Sequence, residues 1–315
     1  MFLSGKVVNL HRFNRITEIK TTKYKVDMKK YFFIALTAVF FSFLSCTQVS
    51  AAKPLKIRWA TFNIRCISKD DYKINCGWDQ RKERVYRYLI DNKIDICGMQ
   101  EVTNEQYEYL RQHLPEYDYV GVGRTDGKTK GEASPVFYRK DKYEALDKGN
   151  FWLSETPDVV GSKGWDAAIE RIASWVKLKD KKTGRVFMAV NTHFDHVGKV
   201  ARRESSKLIM RKIQEIVGSN PAVVTGDFNV TEADEAYTTM VTNEFKMYDA
   251  YHVTKNNTGV NFTWHDYCRI PADKAEKIDF IFITPNIKVK HTHIEPTHPE
   301  AQITDHNPHY ADLRL

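Results

Sequence analysis

Asp305 and His306 stand side by side, a few residues before the strand-like run that ends the chain. Four other short segments also set an acid, amide or imidazole at the end of an apolar run. They are "TFNIR" with Asn63, "GMQEV" with Glu101, "VNTHFDH" with His193 and Asp195, and "VTGDFN" with Asp227 and Asn229. A sixth, "KIDFIFI", places Asp279 inside a run that otherwise reads as core, where an unpaired carboxylate is costly and must have a partner. Each segment alone has an ordinary explanation: an Asx turn, a solvated strand end, a hydrogen bond within a loop. Together they describe a rim at which several strands deliver polar ends to one place. Carboxylate and amide oxygens are hard donors that suit Mg²⁺. A histidine backed by a carboxylate can donate to a phosphoryl oxygen or move a proton. The chemistry such a set supports is hydrolysis of a phosphate ester, slow enough unaided to need metal polarisation, an oriented nucleophile and charge stabilisation together.

In this order along the chain, Asn63, Glu101, His193, Asp227/Asn229, Asp279 and Asp305/His306 resemble the endonuclease/exonuclease/phosphatase superfamily over about residues 55–315. The resemblance implies an α/β fold, a four-layer sandwich of two packed, mainly antiparallel sheets flanked by helices. It also implies a divalent-metal site, holding Mg²⁺ or Mn²⁺, at one rim. By position, Glu101 would be the chief metal ligand, helped by Asn63 and Asp305. Asp227 and Asn229 would orient the attacking water or the phosphate, and His306 would contact the phosphate with Asp279 behind it. His193 matches a histidine or tyrosine that family nucleases place against the phosphate, and no unique general base follows. In the pancreatic deoxyribonuclease-like members a glutamate at the spacing of Glu132 backs that histidine, which implies a second pair, Glu132–His193; the ordinary alternative is a solvated residue in a Gly-rich turn. Segments 151–157, 164–175 and 192–203 resemble a bacterial branch near the deadenylase-like members. There Arg171, His196, Arg202 and Arg203 could reach phosphate, and Trp165 could stack on a base or sugar. Trp152 is better read as core, and His291, His293 and His298 as an edge strand and loop.

The elements that must hold these groups are mostly strands. Runs at 56–64, 94–100, 117–123, 134–139, 143–151, 174–178, 186–192, 222–229, 260–264, 277–284 and 287–294, with the C-terminal run, read as strands. Helical periodicity marks 81–92, a segment opened by the Thr103–Gln106 capping-box spacing, 201–217 with Gly218 as its stop, and 235–243. Strands with interspersed helices and no strict βαβ alternation suit two packed sheets with helices outside.

At 315 residues, with 42% hydrophobic and 12% aromatic residues, the chain has ample material for a packed core, which excludes disorder. The net charge of +8 is concentrated: residues 1–52 hold eight basic and two acidic residues, leaving 40 and 38 in the rest. A polyanion would therefore need a local patch rather than a global field. Residues 1–52 read as a targeting leader, with Met28 as the true start, Lys29–Lys30, an apolar run at 31–44, and then either a lipoprotein-type Cys46 or an ordinary signal-peptidase site near Ala51. The run is about 14 residues, short for a membrane span. The expectation is an envelope or secreted protein with residues 53–315 as its enzyme domain, monomeric, touching a membrane only through a lipid at Cys46. Cys66 and Cys76 flank one loop and are open to either a disulfide or two free thiols. Cys97 reads as a buried small hydrophobe. The substrate expectation is a phosphodiester, with single-stranded nucleic acid among the candidates. The alternatives are phosphomonoesters or head groups of phosphosugar, inositol or phospholipid type, and a non-catalytic binding module on the same fold.

Overall fold

Alternate residues of the strands face opposite ways, and both faces are covered, so the strands are apolar nearly throughout. The computed structural model describes residues 54–315, and the expected leader, with Met28 and Cys46, lies outside the described residues. In chain order the first half comprises β1 (Lys56–Asn63), α1 (Lys69–Lys73), α2 (Trp78–Asp91), β2 (Ile96–Gln100), α3 (Asn104–His113), β3 (Tyr117–Val120), β4 (Val136–Arg139), β5 (Tyr143–Trp152) and β6 (Ile172–Asp180). There follow β7 (Val186–His193), α4 (Lys199–Val217), β8 (Ala222–Asp227), α5 (Glu235–Thr242), β9 (Tyr248–Asp249), α6 (Ala250–Val253), β10 (Asn257–Gly259), β11 (Asp279–Ile283), β12 (Lys288–Ile294) and β13 (His309–Arg314).

One sheet runs β10-β12-β13-β1-β2-β4-β3 and the other β5-β6-β7-β8-β11-β9. Most neighbours are antiparallel, but β1 and β2 run parallel, as do β7 and β8, within the interior of each sheet, and β10 and β12 at one edge. Three apolar layers separate four structural layers. Ile57, Trp59, Ile96, Phe187, Ala189, Val223 and Ile281 fill the space between the sheets. Phe62, Met99, Trp78, Leu89 and Leu110 join the first sheet to α2 and α3. Met188, Val190, Phe280, Ile209 and Ile213 join the second to α4.

The inward-facing series of each strand turns polar toward one end. Ile57 and Trp59 give way to Thr61 and Asn63, Ile96 to Gln100, Phe187 and Ala189 to Asn191 and His193, and Val223 to Thr225 and Asp227. β11 runs the other way and starts with Asp279, which pairs with Asp227 across the ladder. The middle of this gradient is a buried polar layer in which Gln100 Nε2 donates to Thr61 Oγ1 (3.1 Å) and Asn191 Oδ1 (2.7 Å). Asn191 in turn donates to Met99 O at 2.6 Å. Gly98 is required here, because a Cβ would lie 2.1 Å from Thr225 Oγ1 and 2.3 Å from Asn191 Oδ1. The two sheets are thus joined by specific hydrogen bonds directly beneath the rim.

Several expectations shift. The Thr103–Gln106 capping box is present, with bonds in both directions. Gly218 ends α4 with φ of 59°. The run 260–264 is not a strand; the short β10 precedes it, and Trp264 makes only isolated bridges to Glu276 and His306. β12 is not at an edge, since β10 lies outside it. Cys66, Cys76, Cys97 and Cys268 are free thiols, Cys97 fully buried.

Candidate active site

The polar strand ends meet at the carboxyl ends of the two interior parallel pairs, β1–β2 and β7–β8. Just beyond β1, β2 and β8 the backbone turns sharply, and Arg65, Glu101 and Asn229 take left-handed φ values of 57°, 62° and 51°. Such conformations cost about 1–3 kcal/mol each in non-glycine residues and persist where surrounding bonds enforce them. Those bonds are visible. Arg65 N donates to Asn63 Oδ1 at 2.9 Å, Cys66 N to Glu101 Oε2 at 2.9 Å, and Asn229 N to Asp227 Oδ1 at 2.9 Å.

Asn63 bridges the two sheets by donating from Nδ2 to Glu101 Oε1 (3.1 Å) and Asp227 Oδ2 (2.9 Å). This differs from the ligand role expected for it. Carboxylates on both sides demand a donor, so the amide presents its NH₂ to them while its oxygen is taken by Arg65 N. Glu101 is held below its usual carboxylate range: burial opposes ionisation, but the Cys66 N–H, His306 and the Asn63 amide outweigh it. Asp305 is shifted upward by burial and by the neighbouring charge of Glu101, against the pull of His306. Arg65 Nε lies 3.8 Å from Asp305 and 3.2 Å from the buried Asp71.

His306 Nδ1 lies 2.8 Å from Asp279 Oδ2, and its Nε2 is 3.8 Å from Asp227 Oδ2. Burial alone would favour the neutral ring. The Asp279 carboxylate reverses this and lifts His306 to about 10, an imidazolium at neutral pH. The expected Asp279–His306 contact is therefore present. Asp227 moves up to about 7, because burial and the nearby Asp279 both disfavour its charge.

The other expected pair is absent. Glu132 Oε2 accepts from Arg124 Nη1 at 2.7 Å, and His193 Nδ1 is buried with no hydrogen-bond partner. The guanidinium of Arg124, half-buried beside Glu132, has captured the carboxylate meant for the imidazole. Asn229 Nδ2 lies 2.9 Å from Phe194 O and 3.0 Å from His193 Nε2. One amide can donate to both, which makes Nε2 an acceptor and puts the ring proton on Nδ1. Burial, then Arg171 and Arg124, hold His193 neutral, well below its ordinary value.

Arg171 is buried, with Nη2 3.1 Å from His196 Nδ1 and Nε 3.7 Å from Asp195 Oδ2; Nε and Nη1 have no hydrogen-bond partner. His196 is exposed. Arg202, expected at the substrate, is buried and donates to Asp195 O at 3.0 Å, so it props the 195–198 loop instead. Arg203 pairs with Glu204 and Glu235. Trp165 is half-buried against the core under α4, which leaves only part of its ring free to stack. Trp152 is buried and donates from Nε1 to Arg124 O.

Sequence reading named no role for Arg81, which is 1% exposed on α2. Its guanidinium has only main-chain acceptors: Cys76 O (3.1 Å), Arg65 O (2.6 Å), Cys66 O (3.3 Å) and Ile64 O. Gln106, the capping residue of α3, also donates to Arg65 O at 2.7 Å. The 64–66 turn beside Glu101 is thus gripped from two helices. The helical periodicity of 81–92 was legible, but nothing in the sequence marks which carbonyls an arginine will meet.

A family model for the endonuclease/exonuclease/phosphatase family matches residues 60–306. The chain belongs to this family. An endonuclease/exonuclease/phosphatase from Bacteroides vulgatus is 59% identical in its crystal structure, with a TM-score of 0.81 over 83% of this chain and 99% of that one. The mannosyl-6-phosphatase of Bacteroides thetaiotaomicron is 38% identical, with a TM-score of 0.77 over 82% of this chain and 100% of that one. The Ccr4 3'-5'-exoribonuclease subunit of the CCR4-Not complex of Mycosarcoma maydis is 29% identical over 158 residues, which are 44% of this chain and 24% of that protein. The chain is a hydrolase of phosphoester bonds.

The family depends on divalent metals, and the residues fit one. Glu101, Asp227, Asp279 and Asp305 bring four carboxyl groups to the rim, faced by Arg65, His306 and, near Asp227, Arg171. Atoms of Asp227, Asp279 and His306 lie within 4.8 Å of one another. His306 is committed to Asp279 as an imidazolium, however, so the better oxygen set is Glu101 with Asp305, and Asp227 beyond Asn63.

Proposed function

We propose that this protein is an exported, divalent-metal-dependent phosphomonoesterase acting on a small phosphorylated sugar. The observation that carries the reading is the lengthwise similarity to a mannosyl-6-phosphatase at 38% identity, against a partial match to an exoribonuclease. The site supports it chemically. A terminal phosphate brings two negative charges, and the rim offers an imidazolium at His306 and, beside neutral His193, a buried guanidinium at Arg171 with unpartnered N–H groups.

Glu101 and Asp305 would hold Mg²⁺ or Mn²⁺, which when bound polarises the phosphoryl group and balances its charge. His306, fixed by Asp279, donates from Nε2 to a phosphoryl oxygen. Arg171, whose unpaired N–H groups are buried, adds positive charge behind the phosphate without touching it. Asn229 fixes the His193 ring. As water adds to phosphorus, Asp227, poised near neutrality, accepts its proton, since a base is most effective when its pKa is close to the working pH. The bond from phosphorus to the sugar oxygen breaks, and that oxygen leaves as an alcohol with a proton from solvent.

A second reading, phosphodiester cleavage in nucleic acid, is favoured by the exoribonuclease similarity. A panel of mannose 6-phosphate, other sugar phosphates, p-nitrophenyl phosphate, bis-p-nitrophenyl phosphate and single-stranded RNA, run with and without EDTA, tests both. Release of inorganic phosphate from sugar monoesters at the highest kcat/KM is expected. Preference for the diesters or RNA would overturn the substrate assignment. Export is supported by Lys29–Lys30, the apolar run and Cys46. Recovery from the cytosol with Met1 intact would contradict it.

A further inference from the structure

The strand ends opposite the active site have a different character. By the rise of a strand, Lys56 is roughly 23 Å from Asn63 along β1. Lys56 is shared by two adjoining depressions of about 500 and 600 Å³. The first is lined by Arg58, Lys93, Lys290 and Arg314 with Asp95 and Asp312. The second is lined by Lys142, Lys181 and Lys182 with Asp141, Asp180, Leu55 and Tyr143.

All four acids here are already engaged. Asp312 binds Arg58 at 2.8 Å, Asp95 binds Lys142, Asp141 binds Arg139 at 2.9 Å, and Asp180 accepts from Thr183 N and Oγ1 at 2.6 Å. Lys56, Lys93, Lys182, Lys290 and Arg314 have no acidic partner among the described residues, and the four lysines are exposed. A chain whose residues beyond the leader are nearly neutral overall has therefore gathered unpaired cations on the end remote from its acidic rim.

We infer that this basic end docks on an anionic phospholipid surface and turns the active site away from it. The occupant follows from charge and from where the described chain begins. Pro54 lines the second depression, and Cys46, the lipidation position on the export reading proposed above, is eight residues earlier. Eight residues span at most about 28 Å, so an anchor there would bring this end within reach of head groups. Each Lys or Arg near an anionic leaflet adds attraction that decays within a Debye length. A nucleic acid partner would instead need the cations to lead toward the catalytic rim, and they lie at the other end of the strands.

The test uses residues 53–315; the solved Bacteroides vulgatus relative matches 83% of this chain over 99% of its own length. Co-sedimentation is measured with vesicles of phosphatidylcholine alone and of phosphatidylcholine mixed with phosphatidylglycerol, at low and high salt. Expected is salt-sensitive binding to the anionic vesicles only, reduced about tenfold or more in Lys93→Glu/Lys182→Glu/Lys290→Glu. Turnover of p-nitrophenyl phosphate by this variant should be unchanged, so loss of docking is separable from failure of the site. Equal binding to neutral vesicles, no binding to either, or wild-type binding by the triple variant would overturn the inference. Tighter, variant-sensitive binding to single-stranded RNA than to the anionic vesicles would overturn it in favour of a nucleic acid partner.

Discussion

Replacing Arg81 should weaken the metal site without touching it. The guanidinium fans over the carbonyls of residues 64, 65, 66 and 76, and no carboxylate competes for it. In Arg81→Lys the charge stays, but one ammonium cannot span acceptors that a planar fork reaches at once. Each buried carbonyl left unpaired costs about 1–3 kcal/mol. With the lysine keeping one or two bonds and the turn relaxing toward water, the net loss should be about 2–4 kcal/mol. A domain with about 5–15 kcal/mol of total stability remains folded. The functional consequence runs through Cys66, whose N–H holds Glu101 Oε2. Freed of its clamp, the turn no longer fixes that carboxylate, and supporting contacts of this kind alter metal affinity by about 10–100-fold. Titration calorimetry with Mn²⁺ and urea unfolding on the same preparations would separate the effects. If Arg81→Lys is destabilised yet binds Mn²⁺ and turns over as the wild type does, Arg81 is merely structural and the reasoning fails.

Glu101→Gln should fold normally and lose about 10²–10³-fold in kcat, with EDTA abolishing wild-type turnover and Mg²⁺ or Mn²⁺ restoring it; full activity in EDTA would refute the metal reading. Asp279→Asn keeps the shape but removes the charge that holds His306 protonated, so kcat should fall by about 10²–10⁴-fold with circular dichroism unchanged, and a loss under threefold would refute the pairing's role. Asp195 accepts from the N–H groups of Ala168, Ile169, Val197 and Gly198, and although burial resists its charge these donors hold it down to about 2. A depressed carboxylate stabilises the fold above its unfolded pKa, and the benefit is lost as pH falls from about 4 toward 2. That is about 2 kcal/mol in all, about half of it gone by pH 3. Urea unfolding should show this extra acid sensitivity in the wild type and not in Asp195→Asn; parallel pH profiles for the two would refute it.

The polar rim was legible because its signal is local. A strand buried on both faces must be apolar, so a polar residue at its end stands out, and this is what exposed Asn63, Glu101, His193, Asp227 and Asp279. Their order along the chain was enough for the family and hence for the sandwich. The gradient from Ile57 to Asn63, or from Val223 to Asp227, is a period-two pattern that needs no structure to be read, and so is the capping box at Thr103.

What the tertiary structure decided is which polar group meets which. Glu132 is close to the site in sequence logic, but Arg124 folds back across the 124–132 turn and takes its carboxylate, leaving His193 to Asn229. Asn63 was expected to offer its oxygen, and the carboxylates from two different sheets turn it into a donor. Arg81 gave no sign, since its partners are backbone carbonyls, identical at every position, and only their convergence in space distinguishes them. The basic end around Lys56 was hidden by the near balance of charge over residues 53–315, because its cations come from strands and turns far apart in the chain. Residue type and spacing determined the chemistry available; the register of two sheets and the return paths of the loops determined the pairing.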